Sequence, residues 1–463
     1  MKNVLRLSKM MENEMENEKK FIIKGARVAF LTLGCKVNSY ETEAMQALLS
    51  AAGAILVEFH EVADIYVVNT CSVTNMADRK SRQMLHRAKK NNPEAVVVAA
   101  GCYAQTAEED AMRENGVDVV IGNNQKKQIV EILENYMAGV ENKRLEIGKE
   151  TEYEELSLDT QVEHTRAYIK IQDGCNQFCS YCIIPYARGR IRSRNPQDVV
   201  EEVKRLAESG YQEVVLTGIH LSSYGRSSYE QATEGTQPLL LLIQQINAVE
   251  GIQRIRLGSL EPRIITEDFV KTLSECKKVC PQFHLSLQSG SDTVLKRMNR
   301  KYTTEEYAAS VEILKRYYEA PAVTTDIIVG FPQETEEEFL ETLEFAKRIG
   351  FSKIHVFKYS RRKGTVADKM TGQIPEQVKT ERSERLIALE ENLGDAYRRR
   401  FIGMDEAVLF EESVMMDGEI YQVGYNERYV RIAAKTTEDL SNCIRNVRIL
   451  EIAKEKETLL AET

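Results

Sequence analysis

The sequence predicts an α/β protein of several domains, with parallel sheets over most of its length and a small β-barrel near its end. Its 463 residues are enough for about three domains of ordinary size. From residue 26 onward, short apolar β-rich runs alternate with helical stretches, which is typical of parallel strands joined by helices. The region after residue 400 contains only short β-like runs, which favour a small antiparallel barrel of about sixty residues.

The composition is that of a globular protein, with 43% hydrophobic and 29% charged residues. No apolar run approaches the roughly 18 residues that cross a bilayer, and the charged first twenty residues lack the apolar core of a signal peptide. We therefore expect a cytoplasmic protein whose nine cysteines are thiols, metal ligands or catalytic groups rather than disulfides. The net charge of −9 excludes a uniformly basic surface, although a local basic patch could still bind nucleic acid.

These patterns divide the chain into five segments. They are a disordered tail (1–24), a doubly wound parallel sheet (25–140), a charged, aperiodic linker (141–160), a partial (β/α) barrel (161–392) and a small antiparallel barrel (395–460).

Three cysteines of the first sheet each follow a predicted strand. The strands are "ARVAFLTL", "ADIYVVNT", "EAVVVAAG" and "VDVVIG", and the first three precede Cys35, Cys71 and Cys102. Because parallel strands end at a common edge, these cysteines should converge there. The alternative is three unrelated buried thiols. A helix should begin near Asn38, which stands at capping-box spacing from Glu41.

The second α/β series has six predicted strands and no dinucleotide-binding fingerprint, which indicates an open or partial barrel. The strands are "AYIKIQ", "EVVLTG", "IRLGS", "FHLSLQS", "AVTTDIIVG" and "KIHVFKY". In such barrels the active-site residues lie at the carboxyl ends of the strands. The candidate residues at or near those ends are Cys175, Thr217, Gly218, Ser259, Glu261, Gln288, Ser289 and Asp326.

The stretch "DGCNQFCSYC" contains three closely spaced cysteines, Cys175, Cys179 and Cys182, in a C-x3-C-x2-C pattern. A four-iron cluster is normally held by four thiolates, so three would leave one iron free to bind another molecule. The alternative is a zinc site completed by a distant ligand such as His164 or His220.

Several motifs together resemble the methylthiotransferase family of radical S-adenosylmethionine (SAM) enzymes, over about residues 25 to 460. The motifs are "TLGCKVNSYET", "VVNTCSVTNMADRKSRQ", "AAGCYAQ", "IQDGCNQFCSYCIIPYARGRIRSR" and "TGIH". The resemblance implies two 4Fe-4S clusters and a C-terminal RNA-binding TRAM domain. Cys35, Cys71 and Cys102 would hold the auxiliary cluster. Cys175, Cys179 and Cys182 would hold the radical cluster, whose open iron binds SAM.

The same resemblance implies a reaction in which one SAM methylates a sulfur on the auxiliary cluster and a second yields a radical that removes hydrogen from carbon. "TLGCKVN", "YQVGYNERYVRI" and "CIIPYARG" are similar to the threonylcarbamoyladenosine-specific tRNA enzymes. The expected product is 2-methylthio-N6-threonylcarbamoyladenosine at tRNA position 37. Relatives acting on isopentenyladenosine or on a ribosomal protein aspartate share both cluster sets, and a zinc-stapled RNA-binding protein is the alternative from another class.

The partners implied are the anticodon stem-loop of tRNA and an electron donor such as flavodoxin or ferredoxin, with neither DNA nor membrane. Two sets of residues are candidates for the RNA contact, the first at period two in an extended segment and the second on one face of a predicted strand. They are Arg188, Arg190, Arg192 and Arg194, and Tyr425, Tyr429, Arg431 and Lys435. The alternatives are a solvated or ion-paired loop and an ordinary exposed barrel face.

Two acidic stretches are interpreted as helix caps rather than metal loops. Thr335 with Glu338, and Thr303 with Glu306, stand at capping-box spacing. The remaining cysteines, Cys276, Cys280 and Cys443, are interpreted as ordinary structural residues.

Overall fold

The computed structural model describes residues 23–463, except for 141, 159–164, 227–236, 417 and 455–456. The predicted tail and His164 therefore lie outside the described residues, apart from positions 23 and 24. The chain divides into two compact units, one formed by the described residues up to Ser72 with Met76–Glu146, the other by Val73–Asn75 with Ile147–Thr463. No helix among the described residues combines the length and apolar character needed to span a membrane.

The first unit is built around a five-stranded parallel sheet in the order β2-β1-β3-β4-β5. Its strands are β1 (Arg27–Thr32), β2 (Ile55–Val57), β3 (Ile65–Thr70), β4 (Val96–Ala100) and β5 (Val119–Ile121). Its helices are α1 (Lys36–Ala51), α2 (Asn75–Asn91), α3 (Gly101–Thr106), α4 (Glu109–Glu114) and α5 (Ile129–Met137). The four predicted strands are confirmed. The edge strand β2 was not predicted, because its apolar run of three residues, Ile55–Val57, is too short to be told apart from a loop.

Apolar side chains cover both faces of this sheet and form a separate core cluster on each side. The central strand β3 is buried along its whole length, as expected of a parallel strand covered by helices on both faces. This confirms the predicted doubly wound arrangement.

The start of α1 differs from the prediction. The helix begins at Lys36 with Cys35 as its N-cap residue, and Asn38 lies inside the first turn. The Asn38 amide donates to the carbonyls of Leu33 and Thr70 at 2.7 and 3.1 Å. Glu41 is fully buried and pairs with Lys126 at 3.1 Å. The capping-box interpretation is therefore wrong, because both side chains serve tertiary contacts instead.

The second unit contains an open barrel and a closed one. The open barrel comprises β6 (Ala167–Asp173), β7 (Arg192–Ser193), β8 (Glu213–Gly218), β9 (Arg254–Leu257), β10 (Gln282–His284), β11 (Ala322–Val329) and β12 (Lys353–Lys358). Its helices are α6 (Ile184–Ala187), α7 (Pro196–Glu208), α8 (Pro238–Asn247), α9 (Glu267–Glu275), α10 (Asp292–Arg297), α11 (Thr304–Tyr317), α12 (Glu336–Ile349) and α13 (Glu376–Arg399). Single β-bridges join the β7-β6-β8-β9 and β10-β11-β12 sheets.

All six strands predicted for this barrel are confirmed, and β7 is a two-residue antiparallel addition to the edge of β6. Apolar residues on the outer faces of the strands pack against the helices in one large core. On β11, for example, Val323 and Ile327 belong to this core, whereas Thr324 and Asp326 alternate with them and face the opposite side. The inner face of the barrel is therefore polar.

The C-terminal region is a closed five-stranded barrel in the order β13-β14-β15-β17-β16. Its strands are β13 (Asp405–Met416), β14 (Glu419–Asn426), β15 (Arg431–Lys435), β16 (Ile444–Ile452) and β17 (Thr458–Glu462). The barrel was predicted, but β17 was not, and it carries the barrel beyond residue 460. The predicted small antiparallel barrel is confirmed, with one exception among its strand pairs, since β15 pairs with β17 in parallel.

The predicted linker is packed in part. Between residues 142 and 158 no helix or strand forms, yet Leu156 and Leu158 are buried and the Tyr153 hydroxyl donates to the Lys170 carbonyl at 2.7 Å. This segment therefore covers β6 rather than acting as a free tether.

Candidate active site

Three cysteines occupy the loop that follows the first strand of the open barrel, at the carboxyl end of β6. Cys175, Cys179 and Cys182 are all partly buried thiols without a disulfide. The loop turns back on itself through a hydrogen bond from the Cys182 N–H to the Cys179 carbonyl at 3.0 Å. The predicted placement of the C-x3-C-x2-C motif above the barrel is thus confirmed.

The segment that follows α10 supports the cysteine loop through hydrogen bonds. Phe178 and Asn299 both adopt positive φ angles, of 49° and 60°, and the Asn299 amide donates to the Phe178 carbonyl at 2.9 Å. The Ser180 N–H donates to the Met298 carbonyl at 3.0 Å. Two sparsely populated backbone conformations joined by hydrogen bonds indicate a loop whose shape is fixed by its support.

Arg300 links the cysteine loop to the inner wall of the barrel. Its Nη1 donates to the Cys179 sulfur at 3.3 Å, and its Nη2 donates to the Ser286 carbonyl at 3.3 Å. Its Nε donates to the Tyr302 hydroxyl at 2.9 Å. The stretch "LKRMNRKY" gave no signal that would single out Arg300 from its basic neighbours, because the contact depends on how two distant loops meet.

Burial strongly disfavours free thiolates at two of these cysteines. It raises the pKa of Cys175 to about 11 and that of Cys182 to about 12. The neighbouring Cys179 adds to the rise in both cases. Metal ligation must therefore displace a proton from each thiol, as is usual for cysteine ligands.

Gly174 shows how closely the loop approaches the segment after α6. Its φ is +69°, and a Cβ added there would lie 1.8 Å from the Arg190 carbonyl oxygen. The Cys175 N–H donates to the Gly189 carbonyl at 3.0 Å. Only glycine combines this backbone conformation with so close an approach.

The donor set fits an iron–sulfur cluster with one open iron. Three thiols share one loop, the Arg300 guanidinium supplies a positive charge to one sulfur, and the Gln177 N–H donates to the Cys175 sulfur at 3.4 Å. Hydrogen bonds to sulfur and nearby charge are features that tune such clusters.

His220, the described candidate for a fourth zinc ligand, has other partners. Its Nδ1 lies 2.6 Å from the Ser223 hydroxyl, and its Nε2 lies 3.6 Å from a Glu261 carboxylate oxygen. Because both ring nitrogens already lie close to these partners, the zinc interpretation that uses His220 is not favoured.

The strand-end candidates occupy different positions. Thr217 and Gly218 end β8, the Ser259 and Ser286 hydroxyls lie 2.8 Å apart, and Glu261 accepts from Gln177 at 3.5 Å. These residues face the cysteine loop or the inner wall. Gln288 has a positive φ of 73°, and its backbone forms a parallel bridge with Ile327 of β11.

Two candidates deviate from the prediction. The Ser289 hydroxyl is buried, lies 3.3 Å from the Thr342 hydroxyl and accepts from the Ser291 N–H, so its role is structural rather than cofactor binding. Asp326 lies within β11, not at its end, and its Oδ2 lies 3.3 Å from Nε2 of His284. His284 was not predicted as a site residue.

The predicted arginine strip is wrong for three of its four members. Arg188, Arg192 and Arg194 are fully buried, and Arg188 donates to Asp173 at 3.1 Å. Arg194 pairs with Glu202. The segment is not extended throughout, because Arg188 ends helix α6 and Gly189 has a φ of +73°. The three buried arginines pair with the carboxylates of Asp173 and Glu202. Only Arg190 is exposed, with its guanidinium 4.7 Å from the centre of the Phe178 ring.

The predicted aromatic and basic face of the small barrel is also wrong. Tyr425 and Tyr429 do not share a strand, because residues 427–430 form the turn between β14 and β15. Their rings stack at 4.6 Å, with the Arg166 guanidinium 4.9 and 4.7 Å from the two ring centres. Arg431 donates to Thr458, and Lys435 pairs with Glu419 at 2.6 Å. The two tyrosines thus connect the closed barrel to Arg166, which directly precedes β6 of the open barrel.

In the first unit, the structure brings the other three cysteines to one edge of the sheet. The Cβ of a residue replacing Gly34 would lie 2.9 Å from the Cys71 sulfur, so Cys35 and Cys71 follow neighbouring strand ends. Thr70 and Gly101 form a parallel bridge immediately before Cys71 and Cys102. Cys71 and Cys102 are buried, whereas Cys35 is exposed. The predicted convergence is confirmed at the level of the backbone.

Comparison with known families covers both units. Residues 27–122 match the model of the uncharacterized protein family UPF0004, and residues 169–346 match that of the Radical SAM superfamily. The threonylcarbamoyladenosine tRNA methylthiotransferase MtaB of Bacillus subtilis is 44% identical, over 92% of this chain and 94% of that protein. The protein of the same name from Aquifex aeolicus is 40% identical, over 87% and 98%. The tRNA-2-methylthio-N(6)-dimethylallyladenosine synthase of Clostridium beijerinckii is 40% identical, over 77% and 79%.

Solved structures share the fold at low identity. The radical SAM methyltransferase TsrM from Kitasatospora setae has a TM-score of 0.55 at 14% identity, covering 74% of this chain and 77% of that chain. Fold, cysteine loop and matched models together define a radical SAM enzyme. Within that class, the chain belongs to the radical SAM methylthiotransferase family.

Proposed function

We propose that this protein transfers a methylthio group to C2 of N6-threonylcarbamoyladenosine at position 37 of tRNA. The observation that carries the proposal is the 44% identity to the Bacillus subtilis threonylcarbamoyladenosine tRNA methylthiotransferase over 92% of the chain. A match of this extent includes both compact units and the closed barrel, so it is not confined to the radical core.

The six cysteines would hold two 4Fe-4S clusters. Cys35, Cys71 and Cys102 are the proposed ligands of the auxiliary cluster, and Cys175, Cys179 and Cys182 those of the radical cluster. Three thiolates leave one iron of each cluster open. When bound, the clusters and SAM would supply the radical and the sulfur, because the adenine C–H bond offers no acidic proton to a general base.

The chain's own residues would position and shield these groups. Arg300 places a partly buried positive charge against the Cys179 sulfur, and Gly174 closes the loop onto the backbone of Arg190. We retain six residues at the mouth and inner wall as candidates for contact with SAM or substrate. They are Thr217, Gly218, Ser259, Glu261, Gln288 and Asp326.

The proposed partners are tRNA, engaged through its anticodon stem-loop, and a low-potential electron donor such as flavodoxin or ferredoxin in the cytoplasm. Arg190 is the one member of the arginine segment that remains a candidate for phosphate contact, because it is exposed beside the cysteine loop. The closed barrel at the C-terminus has the position expected of a TRAM domain.

The test is nucleoside mass spectrometry of tRNA from cells with and without the gene. We expect loss of the methylthio mark on threonylcarbamoyladenosine alone. The mark should return with the wild-type gene and with Cys276→Ala, whose thiol lies in the hydrophobic core of the open barrel. It should not return with Cys179→Ala.

Two results would contradict the substrate assignment. Loss of the mark on dimethylallyladenosine instead would favour the function named for the Clostridium beijerinckii relative, which is 40% identical over 77% of the chain. Unchanged tRNA would direct attention to a protein substrate, such as a ribosomal protein aspartate, while leaving the family assignment intact.

A further inference from the structure

Three side chains form a polar cluster on the inner wall of the open barrel. His284, Asp326 and His355 lie on the adjacent strands β10, β11 and β12, and their ligand atoms all lie within 4.8 Å of one another. Strand register creates the cluster, since Asp326 pairs directly with His355 and Thr324 with His284. No family match or motif singled out this combination.

The cluster has a defined internal geometry. His284 is held by two contacts, with Nδ1 3.0 Å from the Thr324 hydroxyl and Nε2 3.3 Å from a carboxylate oxygen of Asp326. The rings of His284 and His355 are 5.9 Å apart and inclined by 33°. The Asp326 side chain is 31% exposed and His355 is exposed, so this wall can meet a ligand that enters the barrel.

The cluster is connected to the cysteine loop through Ser286 and Arg300. Ser286 lies two residues after His284 on the same face of the chain, about 7 Å further toward the strand ends. The Ser286 carbonyl accepts from Arg300, and the other end of the Arg300 guanidinium donates to the Cys179 sulfur. Ser286 and Arg300 therefore connect the cluster to the cysteine loop along one wall of the barrel.

We infer that this cluster recognises the threonylcarbamoyl group of the substrate base, an inference that rests on the proposed function. That group carries a carboxylate, a hydroxyl and a urea. Asp326 can accept from the urea N–H groups or the hydroxyl, and His355 can donate to the carboxylate or carbonyl oxygens. His284, held by Thr324 and Asp326, acts as a positioning residue.

The same chemistry excludes an apolar substituent. A dimethylallyl group has no polar atom, so placing it against this wall would remove water from Asp326 and His355 without replacing their hydrogen bonds. Sites built to hydrogen-bond a substrate reject analogues that lack the partner atoms far more strongly than apolar pockets reject a change of size. The cluster would thus determine which modified adenosine is accepted.

The experiment measures binding of two synthetic anticodon stem-loops that differ only at position 37, which carries either N6-threonylcarbamoyladenosine or adenosine. The full-length protein with its clusters should bind the modified RNA more tightly. In Asp326→Asn and His355→Leu, this preference should fall by about tenfold or more, the loss expected for one hydrogen bond to a charged group. Affinity for the unmodified RNA should stay unchanged, and so should the preference in His60→Leu, an exposed histidine of the first unit.

The outcomes separate this inference from the proposed function. An undiminished preference in both variants, or no preference in the wild type, would overturn the inference even if the wild type methylthiolates the modified RNA. A wild type that never methylthiolates that RNA would overturn the proposed function. Stoichiometric zinc or another divalent ion beyond the cluster iron, lost in both variants, would also overturn the inference by making the cluster a metal site.

Discussion

Arg300 gives Cys179, one of the three proposed ligands of the radical cluster, an environment different from that of Cys175. It donates to the Cys179 sulfur, whereas the only hydrogen bond described above for Cys175 comes from a neutral backbone N–H. A partly buried cation beside one thiolate favours the state of the cluster that carries an additional electron, because the extra negative charge is partly neutralised.

Replacing Arg300 with methionine should therefore lower the reduction potential of the radical cluster. The substitution keeps a long side chain but removes the charge and the hydrogen bond to sulfur. An EPR-monitored redox titration measures the shift, and Arg300→Lys, which keeps the charge, should show a smaller one. An unchanged potential in Arg300→Met would mean that the contact is purely structural.

Single substitutions in the two cysteine sets should have different effects on the reaction. Cys179→Ala removes a proposed ligand of the radical cluster, and it should abolish reductive SAM cleavage while leaving the iron of the auxiliary cluster. Cys71→Ala should spare cleavage and stop methylthio transfer. Iron and sulfide content, together with product analysis of SAM cleavage, measures both. Methylthiolation that persists in either variant would contradict the two-cluster assignment, and Cys276→Ala serves as the control.

At the scale of single elements, two of the three predicted capping boxes are confirmed. Thr303 with Glu306 begins α11, and Thr335 with Glu338 begins α12, each with reciprocal side-chain to backbone bonds. The acidic stretch "QETEEEF" is thus a helix N-terminus, as the sequence indicated. Glu338 does more than cap, because it also accepts from Arg297 at 2.6 and 2.9 Å and so ties α12 to α10.

Thr335→Ala should lower the free energy of unfolding by about 1 kcal/mol, the usual cost of losing an N-cap hydroxyl. Thr335→Ser should restore most of that loss, because serine supplies the same acceptor. Urea unfolding followed by circular dichroism measures the difference. Equal stability of the alanine and serine variants would show that the cap contributes nothing.

Glu338 should also make stability depend on pH. Burial opposes its ionisation, but hydrogen bonds from Arg297 and Thr293 outweigh that effect and lower the pKa of Glu338 from 4.5 to about 2. A carboxyl with a depressed pKa in the folded state stabilises above its unfolded pKa, and the stabilisation is lost as the pH falls from about 4.5 toward 2. The difference in stability between wild type and Glu338→Gln should shrink over that range. A difference independent of pH would contradict this ion pair.

At the scale of the second unit, buried charges attach the closed barrel to the open one. Arg256 on β9 pairs with Glu213 at 2.6 Å and donates to the Glu427 and Asn426 carbonyls at 2.7 and 2.8 Å. It also lies 4.8 Å from the centre of the Tyr429 ring. One guanidinium therefore satisfies groups from both barrels.

Arg256→Met should loosen this attachment. Removing one partner of a buried ion pair costs about 3–5 kcal/mol, and two backbone carbonyls lose their donor as well. We expect a lower melting temperature and faster limited proteolysis between α13 and β13. Arg445→Met, on the exposed surface of the same barrel, should change stability little. Equal proteolysis of the two variants would show that Arg256 does not hold the barrel.

The sequence predicted the features that depend on regular burial, and missed those that depend on partners distant in the chain. Parallel strands could be located because buried strands are continuous apolar runs, and strand ends then located both cysteine sets. The arginine segment was misassigned because period two does not reveal whether the facing surface is water or a buried carboxylate such as Asp173. Arg300 and the His284, Asp326 and His355 cluster depend on loop packing and strand register, which the sequence does not display.

The backbone conformation of Gly174 restricts which mutations this protein can tolerate. The left-handed backbone at this position, and the carbonyl of Arg190 1.8 Å from where a Cβ would stand, leave no room for any other amino acid. Every missense change of this codon, even to alanine, must displace either Cys175 or the facing backbone. In a saturation mutagenesis screen, codon 174 should therefore behave like the three cysteine codons and tolerate only synonymous changes, although its residue has no side chain with which to bind a metal.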